Sequence, residues 1–214
     1  SNNLGNANCI GNRLLRHQWI AELSGSSFVH RIWRLPHSSG FIAARSPIWG
    51  SRVGVSQSAV TVLLIRHARS VANAEGILAG RLPGIELDED GIEQSNLLAS
   101  KLKNLPIEFV VHSDLERTKK TVAPLISERN LKNVEDVAFT ECDYGDWSGR
   151  KLSELALEPL WKDIQTRPSS VRFPRGESMV EMQERAVGGL EHWIQKADSV
   201  FAICSHGDVI KSMV

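Results

Sequence analysis

Arg66-His67 ends an apolar run and is followed at once by small and polar residues: Ala68, Ser70 and Asn73. An imidazole can act as a nucleophile, and a guanidinium fork binds an oxyanion through two parallel N–H groups. Side by side, they present a nucleophile next to an anion clamp. The seven residues Ala59 to Ile65 are β-branched or apolar, as in a strand buried on both faces. His67 should therefore emerge at the strand's C-terminal edge, where open α/β sheets bind ligands. The dipeptide is weak by itself. Leu14-Leu15-Arg16-His17-Gln18 also has apolar residues before Arg-His, but lacks a strand-length run and the later Ser and Asn, and reads as chance.

Three further segments supply partners. His112-Ser113-Asp114-Leu115-Glu116-Arg117-Thr118 follows a second apolar run, Phe109 to Val111. Thr140-Glu141-Cys142-Asp143-Tyr144-Gly145-Asp146-Trp147-Ser148-Gly149 carries an acid ahead of a Gly-x-Trp-x-Gly turn. Val200 to Cys204 is a third strand-like run, ending in Ser205-His206-Gly207-Asp208. With Arg-His-small-x-Ser-x-x-Asn at 66–73, these four segments in this order resemble the signature of the histidine phosphatase superfamily, the phosphoglycerate mutase-like enzymes.

The resemblance spans roughly Val60 to Val214 and includes Leu87 to Gln94 and Pro174-Arg175-Gly176-Glu177-Ser178. It implies that His67, Glu141 and His206 are catalytic and that Arg66, Asn73, Arg117 and the Gly207 amide bind phosphate. Two positions depart from the common pattern: Ala68 stands where many members have Gly, and Asp114 where many have Pro. An Ala forced to positive φ would cost about 1 kcal/mol.

The chemistry accounts for these residue types. A phosphate ester carries negative charge that repels nucleophiles, so fixed cations such as Arg66 and Arg117 must receive it. Neutral His67 can attack phosphorus in line to form a phosphohistidine that water later hydrolyses. His206, in its protonated form, would stabilise the equatorial oxygens. Glu141 must be protonated to donate to the leaving alkoxide, so burial and the phosphate's charge should raise its pKa.

Rival chemistries lack their residues. A cysteine phosphatase needs Cys-x5-Arg, yet Cys9 is followed at that spacing by Leu15 and Cys204 by Ile210, while the first Arg after Cys142 is Arg150. The only close metal-type pairs are His112-x-Asp114 and His206-x-Asp208, so no metal or other cofactor is expected. No Gly-rich loop with Lys-Ser/Thr is present. Three cysteines suggest a reducing compartment rather than a disulfide framework. No apolar run approaches the ~20 residues that span a bilayer, so a membrane partner is not expected.

The zero net charge is divided unevenly. Residues 1–59 hold six Arg, no Lys and one acid, Glu22, with ten Ser; residues 60–214 hold 19 basic and 24 acidic residues. The latter balance gives no reason to invoke nucleic acid, and leaves a small phosphorylated substrate as the partner. Residues 1–59 read as a disordered, targeting or non-native extension; an Arg-rich, Ser-rich, acid-poor stretch is also what an organellar transit peptide looks like. Otherwise the protein is expected to be cytoplasmic. Residues 60–214 are the expected catalytic domain, and the family's usual continuation past Ser-His-Gly implies a C-terminally incomplete copy.

Regular elements must position these groups. Asp88 can cap a helix that turns Leu98, Leu102 and Leu105 to the sheet. Ile107 to Val111 reads as a strand, and the helix from Leu115 should bury Val122 and Ile126 and bend at Pro124. Val137 to Thr140 reads as a short strand leading into Glu141. Ser178 and Glu181 form a capping box ahead of the stripe Met182, Ala186, Leu190, Trp193 and Ala197. Alternating strands and helices predict a three-layer α/β/α sandwich with a mostly parallel sheet.

Only 64 positions separate Glu141 from Ser205, room for two short helices and one long one but no large lid. A mutase must exclude water, so this interval favours a phosphatase over a phosphomutase of the phosphoglycerate mutase type. A non-catalytic relative that binds phosphorylated ligands is the alternative of another class; intact His67, Glu141 and His206 argue against it. Leaving-group specificity would come from loop residues such as Arg69, Arg81 and Trp147.

Overall fold

The structure is a computed structural model that describes residues 29–36 and 59–214. Arg16-His17 and most of the N-terminal stretch lie outside the described residues; within that stretch Val29–Pro36 form strand β1.

The remaining strands are β2 (Ala59–Arg66), β3 (Ile107–His112), β4 (Lys132–Glu135) and β5 (Val200–Ser205). They form one sheet in the order β1-β2-β5-β3-β4, in which β2, β5, β3 and β4 run parallel and β1 pairs antiparallel with β2. Period-two alternation divides the side chains between two cores. Leu63 and Ile65 of β2, with Ala202 and Cys204 of β5, face helices α2 (Glu89–Leu102) and α3 (Glu116–Arg129) through Leu98, Leu102, Val122 and Leu125. Val62 and Leu64 of β2, with Phe201 and Ile203 of β5, face the opposite layer, α6 (Met179–Ile194) and α7 (Gly207–Met213), through Leu190, Trp193 and Ile210. This is the expected three-layer α/β/α sandwich.

A third cluster, with Cys142, Tyr144, Trp147, Leu155, Phe173 and Met182, supports the segment after Glu141 and the short helices α4 (Leu152–Leu155) and α5 (Pro159–Thr166). The interval between Glu141 and β5 thus holds two short helices and one long one. A further five-residue helix, α1 (Val71–Glu75), occupies what reads in sequence as a polar turn.

Caps follow the sequence pattern. Asp88 accepts from the Gly91 amide, and Ser178 with Glu181 forms both halves of a capping box. Pro124 cannot donate to the Lys120 carbonyl, yet α3 runs on to Arg129; the Ser95 hydroxyl of α2 lies 3.0 Å from that carbonyl and 2.8 Å from the Thr121 carbonyl.

Two element expectations are corrected. Val137–Phe139 is a 3-10 turn rather than a strand: the Asp136 carboxylate caps the Ala138 amide, and Val137 is 67 % exposed with no sheet to pack on. Leu105 lies beyond the end of α2, in an exposed turn.

β2 leads to α2 on one face and β5 leads to α7 on the other, so the chain diverges between two neighbouring parallel strands. Such a divergence opens a crevice at their C-terminal ends. Arg66 pairs with Ser205 and His112 with Cys204, which brings the ends of β2, β5 and β3 level around that crevice.

Candidate active site

A cavity of about 360 Å³ opens there, and its wall includes Arg66, His67, Asn73, Arg117, Glu141 and Gly207. His206 is fully buried directly behind His67, with ring centroids 5.2 Å apart. The structure therefore brings together all seven residues singled out in the sequence.

His67 is fixed by the loop that leaves β2. Its amide bonds the Ser205 carbonyl at 2.9 Å, and the next amide, of Ala68, donates to Thr121 Oγ1 at 2.8 Å. Nδ1 lies 2.7 Å from the Ala68 carbonyl, which can only accept, so Nδ1 carries the proton and the lone pair is left on Nε2. Burial foremost, then Arg117, lowers its pKa to about 3, so the imidazole is neutral at physiological pH. Ala68 is not at positive φ, so the departure from Gly carries no backbone strain. Asp114, the second departure, accepts a hydrogen bond from Thr140 and so ties the β3 loop to the residue before Glu141.

Arg117, in the first turn of α3, is 1 % exposed. Its Nη2 donates to the Gly80 carbonyl at 2.8 Å and to His206 Nδ1 at 3.1 Å. Nε and Nη1 are buried without a hydrogen-bond partner. Unsatisfied buried N–H groups cost free energy, most of all on a cation, and here they sit on a guanidinium lining a cavity. An oxyanion is the ligand that would satisfy both. Arg66 enters the same cavity from the opposite side, as an exposed side chain at the end of β2.

His206 departs from the expectation of a protonated group. A guanidinium only donates, so Nδ1 accepts from Arg117, and the proton sits on Nε2, which donates to Ser113 Oγ at 2.9 Å. Burial and the Arg117 charge hold its pKa well below the ordinary histidine value, so His206 is neutral here. A dianion beside it would act in the opposite direction.

Glu141 is nearly buried. Its Oε1 accepts from the Cys142 amide at 3.0 Å, and Oε2 lies 4.0 Å from His206 Nδ1. Burial, and after it the Asp208 charge, raises its pKa to about 7, so a large share of the carboxyl is protonated near neutrality. Burial, one of the two causes expected from the sequence, is the leading one. Asn73 is the N3 residue of α1, and its Oδ1 accepts from the Ser70 amide at 3.1 Å. Gly207 opens α7; a Cβ there would come within 3.5 Å of Arg66 Nε.

Several residues that matter here are not among the seven expected from the sequence. Tyr144, buried beside Glu141, donates to Asp208 Oδ2 at 2.7 Å. Ser113 Oγ accepts a hydrogen bond from His206 Nε2, and Thr121 Oγ1 accepts one from the Ala68 amide. These are long-range pairings; Ser113, Tyr144 and Asp208 lie inside the motif segments, but nothing in the sequence signals what each of them pairs with. The three loop residues expected to set specificity do not line the main cavity. Arg69 pairs outward with Asp88 and Asp90, Arg81 bonds the Glu141 carbonyl, and Trp147 is buried in the third core cluster. A second cavity of about 570 Å³ adjoins the first; it is walled by Trp147, Trp161 and Phe173 and shares Leu78, Tyr144 and Asp208 with it.

Cys142 and Cys204 are buried free thiols whose pKa burial pushes up, the reverse of what a thiolate nucleophile needs. Among the described residues no three His, Cys, Asp or Glu side chains converge as a metal site, and no helix is long and apolar enough to cross a membrane.

Comparisons with known proteins identify the family. Phosphoserine phosphatase 1 of Hydrogenobacter thermophilus is 33 % identical over 144 residues, 64 % of this chain and 67 % of that protein. The probable phosphoglycerate mutase GpmB of Yersinia pestis is 31 % identical over 149 residues, 68 % of this chain and 69 % of that protein. Among solved structures, the alpha-ribazole phosphatase of Shigella flexneri superposes with a TM-score of 0.61 at 27 % identity, covering 70 % of this chain and 75 % of the other. Bacillus stearothermophilus YhfR shares the fold, with a TM-score of 0.66 over 72 % of this chain and 78 % of its own, at 24 % identity. The family model described as histidine phosphatase superfamily (branch 1) matches residues 62–214, and the chain belongs to that family.

Proposed function

We propose that the protein hydrolyses small phosphomonoesters in two steps through a phosphohistidine on His67. The observation that carries this reading is the pairing, in one cavity, of a neutral imidazole whose Nδ1 proton is committed to Ala68 with a buried Arg117 that has two unpartnered N–H groups. In the first step the Nε2 lone pair attacks phosphorus, the bond to the ester oxygen breaks, and that oxygen takes the proton of Glu141. In the second, water attacks phosphorus and gives a proton back to Glu141, the P–N bond breaks, and inorganic phosphate leaves with His67 restored. Arg66, Arg117, Asn73 and the Gly207 amide hold the phosphoryl oxygens, and His206 joins them once the bound dianion draws a proton onto Nδ1 in place of the Arg117 hydrogen bond.

Phosphatase activity is also what the names of the phosphoserine phosphatase and alpha-ribazole phosphatase relatives suggest. The mutase reading, return of the phosphoryl group to a rebound substrate, rests on the likeness to GpmB. The shortness of α4, which lines the cavity through Leu152, and of α5, which lines the adjoining one, favours water as the acceptor. The free thiols Cys142 and Cys204 favour a reducing, cytoplasmic setting.

The test is to quench the protein during turnover of a radiolabelled phosphomonoester and probe the adduct. Label that is stable in alkali, labile in acid and absent from His67→Ala supports the mechanism. Turnover without such an adduct would refute it, and binding without turnover or adduct would mark a non-catalytic phospho-ligand binder.

A further inference from the structure

Two guanidinium groups converge on the backbone of Glu141. Arg81, in the loop after α1, donates through Nε to the Glu141 carbonyl at 2.8 Å, and Arg185 of α6 donates through Nη2 to the same oxygen at 3.1 Å. Arg185 Nη1 also holds the Ala138 carbonyl at 2.9 Å, so both ends of the segment 138–141 are tied to one side chain. Both arginines end on Glu177, the acid of the Pro-Arg-Gly-Glu-Ser segment. Glu177 Oε2 accepts from Arg81 Nη2 and Arg185 Nη2, each at 3.0 Å, and from the Asp143 amide at 3.2 Å, while Oε1 accepts from Arg185 Nε at 2.7 Å. The Glu177 and Arg185 side chains are 13 % and 21 % exposed, which shields their ion pair from water.

A peptide carbonyl is ordinarily satisfied by one neutral N–H. Two cations on one carbonyl, drawn from two different parts of the chain, fix the peptide plane at Glu141 far more tightly than loop connectivity would. The carboxyl is only a few bonds from that plane, so rotation of the peptide swings the proton away from the reacting oxygen. The arginines alone would also favour the ionised carboxyl, which has no proton to give. The Glu177 carboxylate lies on the same two guanidiniums and opposes that effect. Burial alone would raise its own pKa, yet Arg185 foremost holds it below the ordinary value, so it stays charged.

We propose that Arg81, Arg185 and Glu177 are positioning residues that aim the Glu141 carboxyl at the leaving group. The inference rests on the proton-donor role given to Glu141 above, and it makes a distinction that general damage to the fold would not. A proton donor matters for an alkyl phosphate, whose alkoxide leaves poorly, and hardly at all for 4-nitrophenyl phosphate, whose phenolate leaves unaided.

The experiment compares kcat/KM for glycerol phosphate and for 4-nitrophenyl phosphate across variants. Glu141→Gln should lose about 10²-fold on the alkyl ester and far less on the aryl ester. Arg81→Ala and Glu177→Gln should each lose about tenfold on the alkyl ester and under about threefold on the aryl ester, as expected for a donor displaced by a fraction of an ångström. Added to Glu141→Gln, neither should have a further effect. Arg81, 38 % exposed, is the variant expected to fold without difficulty, and circular dichroism checks each one. Equal losses on both esters, or additive losses in the Glu141→Gln background, would overturn the inference while leaving the proposed function intact. If wild type forms no phosphohistidine, or if Glu141→Gln is not selective between the esters, the underlying reading fails and this one with it.

Discussion

Asp208 reaches the reaction through Glu141. It lies two residues past His206, holds the Tyr144 hydroxyl at 2.7 Å, and is the largest charge contribution raising Glu141, after burial itself. Arg117 and Arg185 oppose it from α3 and α6, His206 and Tyr144 are the other titratable neighbours, and Lys211 pairs with Asp208 at 3.3 Å. Glu141 must carry a proton to donate it, so activity on alkyl esters should fall as pH rises through about 7. Removing a negative neighbour favours ionisation. Asp208→Asn should therefore move the basic limb of kcat/KM to lower pH, and an unmoved limb in the pH-rate profile would contradict the assignment. At this scale the sequence is most readable where chemistry is local. Arg66, His67 and the Ser205-His206-Gly207 turn each announce themselves at the end of an apolar run. Arg81 and Arg185 do not, because their purpose lies in a carbonyl some sixty and forty-four positions away in the chain.

The element that carries Glu141 is built on a close backbone approach. Gly145 has φ of +52°, and a Cβ there would meet the Pro174 carbonyl oxygen at 2.1 Å and the Gly176 nitrogen at 2.7 Å. The turn 144–147 thus lies directly on the turn that presents Glu177, and the Asp146 amide bonds the Pro174 carbonyl across the junction at 3.0 Å. Gly145→Ala combines backbone strain with a clash against main chain that cannot rotate aside. It should destabilise the protein by roughly 2–4 kcal/mol in chemical denaturation, and a change under about 0.5 kcal/mol would show that the two turns are free to part. Elements were legible where they are amphipathic or capped: Asp88 and Ser178 announce α2 and α6. Strand β4, Lys132–Glu135, is an edge strand with largely exposed residues and no apolar alternation, so periodicity could not reveal it. Val137 to Phe139 misleads for the converse reason, since apolar residues there form an exposed turn around the single buried side chain of Phe139.

For the molecule as a whole, the site holds an unsatisfied buried cation beside two neutral histidines, an arrangement that costs folding free energy and is relieved by an anion. Inorganic phosphate should therefore raise the melting temperature, with a gain of about 2.7 kcal/mol at a hundred times its dissociation constant. Arg66→Ala, at an exposed position, should keep the fold and lose most of that gain; a phosphate-independent melting temperature in the wild type would exclude anion binding in this cavity. The layered α/β/α architecture was readable from strand and helix alternation, but the order of strands in the sheet was not, since insertion of β5 between β2 and β3 depends on contacts between distant residues. That insertion also sets a sequence of events. Until β5 enters the sheet, β2 and β3 have no common neighbour and His67 has no His206 behind it. A chain emerging from the ribosome can form α2, α3 and most of their contacts before β5 has been made, while the catalytic cavity waits for β5. The nucleophile beside two arginines is thus assembled only once β5 is in place, and phosphate binding reports the insertion of β5 rather than the earlier contacts of α2 and α3.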